Sequence, residues 1–148
     1  MVLHPFSRGA AKSLTTSEIT QLVKALAPYP VIVVGRSNKD VFVDRNAISL
    51  LNRTDLDQLI WLFRRASFIV SVDSGPMHIG AAITASLLSI HTWTDPRFVG
   101  PYNPDAWVWK EQQICQVRSI PAKGPRKASR ARPHPIQIAE FVHERLLL

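Results

Sequence analysis

The sequence predicts an α/β fold in which a parallel sheet carries helices on both of its faces. Short apolar runs alternate along the chain with segments whose apolar residues recur at the spacing of one helical face. Several of these runs are rich in β-branched residues, which is typical of strands buried on both sides. The 148 residues, 46% of them apolar, are enough for one domain with a substantial core.

The first part of the chain predicts a strand, a helix and a second strand. The apolar residues of Val2–His4 predict the first strand. Thr15 and Glu18 have the spacing of a capping box, which marks the start of a helix. The apolar residues behind them recur on one helical face, at Ile19, Leu22, Val23 and Leu26. Two prolines end this helix, and the β-branched residues 31–34 then predict a buried strand that stops at Gly35.

The alternation of helix and strand continues beyond this point. A second helix is predicted to begin at Thr54, with Asp57 three residues further on. Its apolar face consists of Leu56, Leu59, Ile60 and Phe63. The remaining predicted elements are a strand, a short helix, a strand and a final helix, at residues 68–72, 77–85, 87–91 and 136–147. Three tryptophans are interpreted as core or loop packing and the single cysteine as a small core residue, namely Trp93, Trp107, Trp109 and Cys115.

The net charge of +7 is concentrated in one segment. Six basic residues and no acidic residue lie between Arg118 and Arg132 inclusive. With its prolines, this composition predicts an exposed crossing segment over residues 118–135, which separates a domain at 1–117 from a final helix at 136–148. Nucleic-acid binding through the segment is a weaker alternative, and peripheral contact with an anionic membrane surface stays open.

Several function classes lack their motifs. The residues around Ser74 do not form the Gly-x-Ser-x-Gly turn of a serine hydrolase. The five histidines have no metal-ligand spacing, so no metal site is expected. No apolar run approaches the roughly 20 residues of a membrane span, and the first residues lack an export signal. Together with the single cysteine, these observations predict a protein of the reducing cytoplasm.

Three loops are candidates for a binding site. In open α/β sheets, ligands bind beyond the carboxyl ends of the strands. This rule points to the loops at residues 5–14, 35–45 and 73–76. The third of these precedes a predicted helix, whose first N–H groups carry partial positive charge that suits a phosphate.

Residues of the third loop have the properties that an anion site needs. Gly75 lets the backbone approach closely, Ser74 offers a hydroxyl donor, and Pro76 fits the first helical position, where no N–H is needed. His78 faces the same space from the first turn. In the alternative interpretation, Asp73 or Ser74 only caps the helix and His78 packs as a satisfied polar residue.

The first loop places cations directly after a strand. Ser7, Arg8 and Lys12, with Gly9 among them, supply a hydroxyl, two positive charges and a flexible backbone for a diphosphate. The spacing is not that of a Walker loop, and the chain contains no GxGxxG pattern of a dinucleotide-binding enzyme. The alternative is a Lys12 side chain that is simply solvated.

Together these motifs resemble glycosyltransferase family nine, the ADP-heptose lipopolysaccharide heptosyltransferases. The resemblance lies in "RRASFIVSVDSGPMHIGAA", in "TDPRFVGPY" after the next strand and in the opening "VLHPFSRGAAKSL". The matching positions of the family's loops are Ser7, Lys12, Asp73, Ser74, Gly75, His78, Ala81, Ala82, Thr94, Asp95, Pro96, Gly100, Pro101 and Tyr102. Thr92 and Trp93 stand where the family usually has Gly-Pro, and the indole would fill part of the pocket or form a different lid.

The resemblance implies a GT-B architecture with two facing Rossmann-like halves, of which this chain is the carboxyl-terminal, donor-binding one. The implied reaction is an inverting transfer from ADP-heptose or another ADP-sugar, with no obligatory metal and no other cofactor. The catalytic base would belong to the amino-terminal acceptor half, in the same or another chain. We therefore expect this chain alone to bind the donor without transferring the sugar.

The resemblance also implies roles for individual residues. The residues expected to grip the donor are Ser7, Arg8, Lys12, Asp73, Ser74, Gly75, Pro76, Met77 and His78. Asp40 is expected to bracket the ribose, with further contributions from Thr94 and Asp95. The implied work is synthesis of lipopolysaccharide or a related glycan in the cytoplasm, at the inner face of the inner membrane. A non-catalytic module for another phosphorylated ligand is the alternative.

Overall fold

Seven strands form one sheet in the part of the chain that the structure describes, a computed structural model covering residues 1–41, 44–122 and 129–147. The strands are β1 (Val2–His4), β2 (Val31–Val33), β3 (Ala47–Ser49), β4 (Ile69–Val72), β5 (Leu87–Ile90), β6 (Trp107–Lys110) and β7 (Gln113–Gln116). Their order is β3-β2-β1-β4-β5-β6-β7, and every neighbouring pair is parallel except the β6–β7 hairpin. The predicted parallel sheet is confirmed.

Helices cover both faces of this sheet, as the sequence predicts. In the described residues they are α1 (Thr16–Ala25), α2 (Leu56–Arg65), α3 (Gly75–Ile83), α4 (Pro96–Val99) and α5 (Pro135–Leu146), with 3₁₀ turns at Ala10–Lys12 and Val117–Ser119. On one face, α1 and α5 pack together over a core that includes Leu3, Leu22 and Val142. On the other face, α2 and α3 pack around Phe63 and Leu87.

Capping boxes begin the first two long helices. Thr15 and Glu18 form the predicted box at α1, where each side chain accepts a hydrogen bond from the other residue's N–H. The start predicted at Thr54 is wrong by one residue, because the carboxylate of Asp55 accepts from the Gln58 N–H at 2.8 Å. The Gln58 side chain in turn accepts from the Asp55 N–H at 3.0 Å, which completes the box.

The sequence prediction omits three strands. β3 lies at the edge of the sheet and leaves Ile48 63% exposed, so it has no buried apolar pattern. Trp107 and Trp109 lie in strand β6, where Trp109 is fully buried. The hairpin turn is made by Glu111 and Gln112, both with positive φ, where Asn and Gly are the usual sequence signals.

Of the predictions about the carboxyl-terminal part, one is wrong and one is not tested. Cys115 is only half-buried, in the edge strand β7, so the prediction of a core residue is wrong. In the basic segment, Lys123, Arg126 and Lys127 lie outside the described residues. The division of the chain at residues 117 and 135 stays a prediction.

No helix among the described residues has the length and apolar character needed to cross a bilayer.

Candidate functional site

A cavity of about 820 Å³ lies at the carboxyl ends of β1, β2 and β4, against the first turns of α2 and α3. Most of the predicted site residues line it: Ser7, Arg8, Lys12, Asp73, Ser74, Gly75, Pro76 and His78. Gly35 and Arg36 of the second predicted loop join them, together with Asp55 at the start of α2. The structure therefore brings residues of all three predicted loops to one cavity.

The first loop is held in shape by a buried serine. Ser13 Oγ accepts from the Ser7 N–H at 2.9 Å and lies 3.2 Å from the carbonyl oxygens of Ser7 and Gly9. Thr92 Oγ1 donates to the Ala11 carbonyl from the loop after β5. These bonds fix the backbone that carries Lys12. Sequence reasoning missed the role of Ser13, since its burial depends on the fold.

The first turn of α3 has no side-chain cap. Ser74 occupies the N-cap position, but its hydroxyl donates to the Val72 carbonyl at 3.1 Å and lies 3.3 Å from His4 Nδ1. The first N–H groups of α3 are therefore left for another acceptor. A Cβ added to Gly75 would meet no atom within 4 Å, so the backbone here borders open space. The alternative in which Ser74 merely caps the helix does not match this geometry.

His4 is a buried histidine that sequence reasoning did not assign to the site. Its Nδ1 lies 3.2 Å from Ser71 Oγ and 3.3 Å from Ser74 Oγ, and its ring lines the cavity. Burial lowers the pKa of His4 to about 4, so the ring is neutral at neutral pH. Gly35, with φ of 127°, lies so close that a Cβ there would be 3.2 Å from this ring. The signal in the sequence was a histidine at the carboxyl end of the first strand.

Asp73 is the point where three loops meet. Its carboxylate accepts a hydrogen bond from Thr94 Oγ1 at 2.8 Å, and Lys12 Nζ lies 3.5 Å from the same oxygen. Asp73 is only 6% exposed, so these two neighbours, rather than water, stabilise its carboxylate. Lys12 is thus paired, in contrast to the alternative of a simply solvated lysine.

Three other expected site residues lie elsewhere. The Met77 side chain is fully buried in the core between α2, α3 and the sheet, so it packs instead of facing the cavity. Asp40 is exposed and is not part of the cavity wall, where Asp55 is the acidic residue on that side. Asp95 begins α4 and forms an ion pair with Arg97 at 2.6 Å, and hydrogen bonding to that guanidinium holds the pKa of Asp95 below its usual range.

His78 lies between two cavities. It lines the main cavity and an adjoining one of about 610 Å³, where Tyr102 and Phe98 are exposed. His78 Nδ1 is buried and has no hydrogen-bond partner among the described residues. His78 is therefore a wall residue of both cavities, and the hydrogen-bonding capacity of this nitrogen is not used by the described residues.

No group of three His, Cys, Asp or Glu side chains in the described ranges is placed to hold a metal ion.

The strand order and the helices on both faces define a Rossmann-like α/β unit, with its main cavity where the strand order reverses between β1 and β4. Residues 34–123 match the model of glycosyltransferase family 9 (heptosyltransferase). Because the match spans more than half of the chain, the protein belongs to this family. The first loop lies outside the matched residues.

Individual relatives agree with this family. The chain is 28% identical over 79 residues to lipooligosaccharide heptosyltransferase 2 of Haemophilus influenzae, covering 52% of this chain and 23% of that protein. Among solved structures, E. coli ADP-heptose LPS heptosyltransferase II matches with a TM-score of 0.73 at 22% identity, over 99% of this chain and 46% of that one. E. coli heptosyltransferase WaaC with ADP matches with a TM-score of 0.70 at 16% identity, over 97% of this chain and 43% of that one.

A family 9 glycosyltransferase from Veillonella parvula has a TM-score of 0.72 at 15% identity, over 99% of this chain and 45% of that one. The fold is therefore that of one part of a GT-B heptosyltransferase. The chain spans less than half the length of each of these proteins.

Proposed function

We propose that this chain is the donor-binding half of an inverting heptosyltransferase and that its main cavity receives the diphosphate of an ADP-sugar. The observation that carries the proposal is the uncapped first turn of α3, which opens into the same cavity as Lys12. The similar structures are an ADP-heptose LPS heptosyltransferase and a heptosyltransferase with ADP, and both ADP and ADP-heptose contain such a diphosphate.

The charges around the cavity suit this ligand. Lys12 is a cation close to α3, and Arg8 and Arg36 add two exposed guanidinium groups at the wall. Backbone N–H groups of the first turn of α3 can each donate to a phosphate oxygen. Sugar transfer leaves the full charge on the departing diphosphate, so the same groups stabilise the product side of the reaction.

The chain by itself is proposed to bind but not to transfer. A displacement at the anomeric carbon needs an acceptor and a base to deprotonate it. We assign both to the remainder of the enzyme, which is supported by a coverage of only 43–46% of the solved relatives. Within this proposal no metal is required, and the protein works in the cytoplasm at the inner face of the membrane.

Titration of the chain with ADP in a calorimeter tests the proposal, with Lys12→Ala as the site variant and Lys24→Ala as its control. Lys24 is exposed on the last turn of α1, so both variants lose one positive charge. We expect Lys12→Ala to weaken ADP binding about tenfold, as for loss of a hydrogen bond to a charged group that is partly exposed. Lys24→Ala should bind like the wild type.

A thermal-shift panel separates the donor site from a general phosphate site. ADP and an ADP-sugar should raise the melting temperature more than UDP, GDP or pyrophosphate, because a ligand that binds only the folded state stabilises it by mass action. Equal shifts for every diphosphate would favour the alternative of a module for another phosphorylated ligand. No shift with any of them at millimolar concentration would contradict the donor site itself.

A further inference from the structure

A line of hydrogen-bonded side chains runs from the interior of the sheet to the cavity. Ser89 Oγ lies 2.8 Å from His91 Nε2, and His91 Nδ1 lies 2.9 Å from Thr94 Oγ1. Thr94 Oγ1 donates to Asp73 Oδ2 at 2.8 Å, and Lys12 Nζ lies 3.5 Å from that same oxygen. Asp73 and Lys12 belong to the cavity wall, whereas Ser89 and His91 lie behind it and are 0% exposed.

The direction of each bond follows from what each group can donate. An ionised carboxylate only accepts hydrogen bonds, so the Thr94 hydroxyl is the donor in its hydrogen bond to Asp73. That hydroxyl can then only accept from the imidazole, which places the ring proton of His91 on Nδ1. Nε2 is left as an acceptor for the Ser89 hydroxyl. Every donor in the line therefore points toward Asp73.

The surroundings of His91 keep this arrangement in one protonation state. Burial lowers the pKa of His91 to about 4, so the ring carries no charge at neutral pH. A neutral ring has one donor and one acceptor, and both are used here. Without the His91 donor, the Thr94 hydroxyl would be free to rotate away from Asp73 toward solvent, because Thr94 is only half-buried.

The geometry points to His91 as a positioning residue that acts through Thr94 to fix the Asp73 carboxylate, and with it Lys12, for a nucleoside diphosphate in the cavity. The identity of the ligand in this inference rests on the proposed function, whereas the hydrogen-bonded geometry does not. His91 is not a catalytic residue, since it touches neither the cavity nor Lys12.

The geometry can be tested without any ligand. In a long-range ¹H–¹⁵N NMR spectrum of the free protein at neutral pH, His91 should show the neutral tautomer with the proton on Nδ1. A proton on Nε2 would overturn the proposal. The carboxyl carbon signal of Asp73 should move in His91→Leu, as it does in Thr94→Val, and should stay near its wild-type position in His91→Asn, whose amide nitrogen lies about where Nδ1 does.

The effect on binding is tested by ADP titration of the same variants. We expect His91→Leu to weaken ADP binding about tenfold, matching Thr94→Val, and His91→Asn to restore most of the affinity. Thr94→Ser, which keeps the hydroxyl, is the matched control for Thr94→Val. The double variant His91→Leu with Thr94→Val should bind ADP no more weakly than Thr94→Val alone, because both changes break the same hydrogen-bonded line.

The outcomes separate this inference from the proposed function. If the wild-type chain does not bind ADP, the donor site fails, while the NMR signals of His91 and Asp73 still decide whether the connection exists. If ADP binds but His91→Leu and His91→Asn lose equal affinity, or their losses add to that of Thr94→Val, then His91 only packs and the positioning role is wrong. Melting temperatures of all variants identify any that are unfolded, and His91→Asn then provides the comparison.

Discussion

His4 and His91 are buried imidazoles, and both affect how stability depends on pH. Burial lowers the pKa of each ring to about 4 from an ordinary value of 6.5. As the pH falls, these two histidines therefore bind protons near pH 6.5 in the unfolded chain but only near pH 4 in the folded chain. Their contribution to the free energy of unfolding is fully present above pH 6.5. It is lost as the pH drops toward 4, by up to about 3 kcal/mol for each histidine.

Urea unfolding between pH 7 and pH 4 measures this effect. His91→Asn, which cannot titrate, should show a smaller decrease in the free energy of unfolding over that interval than the wild type. The exposed His134 provides the control, because His134→Gln should leave the decrease unchanged. A wild-type stability that does not fall in this range would contradict the burial of both rings.

Gly35 is a position where a side chain is not tolerated. Its φ of 127° is one that L-residues rarely adopt, and an added Cβ would lie 3.2 Å from the buried His4 ring. We expect Gly35→Ala to lower the free energy of unfolding by about 2 kcal/mol, from the backbone strain and the displaced ring together. Gly9→Ala is the matched control, since its φ is −92° and its nearest neighbour is 3.9 Å away. Chemical denaturation of the two variants should separate them clearly.

At the scale of residues, the sequence predicted the side chains whose position follows from topology alone. Lys12 and Asp73 follow strands, and the carboxyl ends of parallel strands meet at one edge, so their meeting could be expected. His4 could not be assigned, because its hydrogen bonds to Ser71 and Ser74 join parts of the chain that only the fold brings together. Ser13 bonds within its own loop, but its burial depends on the fold. Met77 was misplaced, since a residue adjacent to a binding motif can still face the core.

At the scale of elements, the end of the basic segment is attached to the start of α1. Arg132 donates to both carboxylate oxygens of Glu18, at 2.9 and 2.6 Å, and to the Ser13 carbonyl at 2.9 Å. Burial raises the pKa of Glu18, but hydrogen bonds from Arg132 and Thr15 outweigh it, so the net pKa lies below the ordinary value. One guanidinium thus supports the capping box and the first loop together.

Replacing Arg132 should cause only a small loss of global stability but should increase local opening of the first loop. For Arg132→Ala we expect a loss of about 1 kcal/mol in the free energy of unfolding, because the pair is partly exposed and screened by solvent. Hydrogen exchange of the amides in residues 7–18 should accelerate at the same time. Arg130→Ala is the control, since Arg130 is exposed and contacts the Trp93 ring instead. Similar exchange rates in both variants would contradict the supporting role of Arg132.

Periodicity predicted the long elements and missed the short ones. Helix α1 and strand β4 have strong apolar patterns and end at Pro or Gly signals, so their positions followed from local sequence. β3 is three residues long at an exposed edge, and the turn before β7 lacks glycine and asparagine. Pairing with a neighbouring strand forms these elements, and a single sequence contains no local signal for it.

At the scale of the whole molecule, the cavity lies where the order of the strands across the sheet reverses. From β1 the sheet extends through β2 and β3 on one side and through β4, β5 and β6 on the other. Loops at this point diverge to opposite sides, which leaves an open crevice between them. The location of the cavity could therefore be predicted from the alternation of strand and helix, whereas its occupant depends on the family.

α1 is translated well before α5, yet the two pack together on one face of the sheet. Until residues 135–146 leave the ribosome, α1 lacks this cover. The opposite face already has α2 and α3 by that time. A nascent chain paused before α5 would thus present a one-sided apolar surface, the kind that chaperones at the ribosomal exit bind.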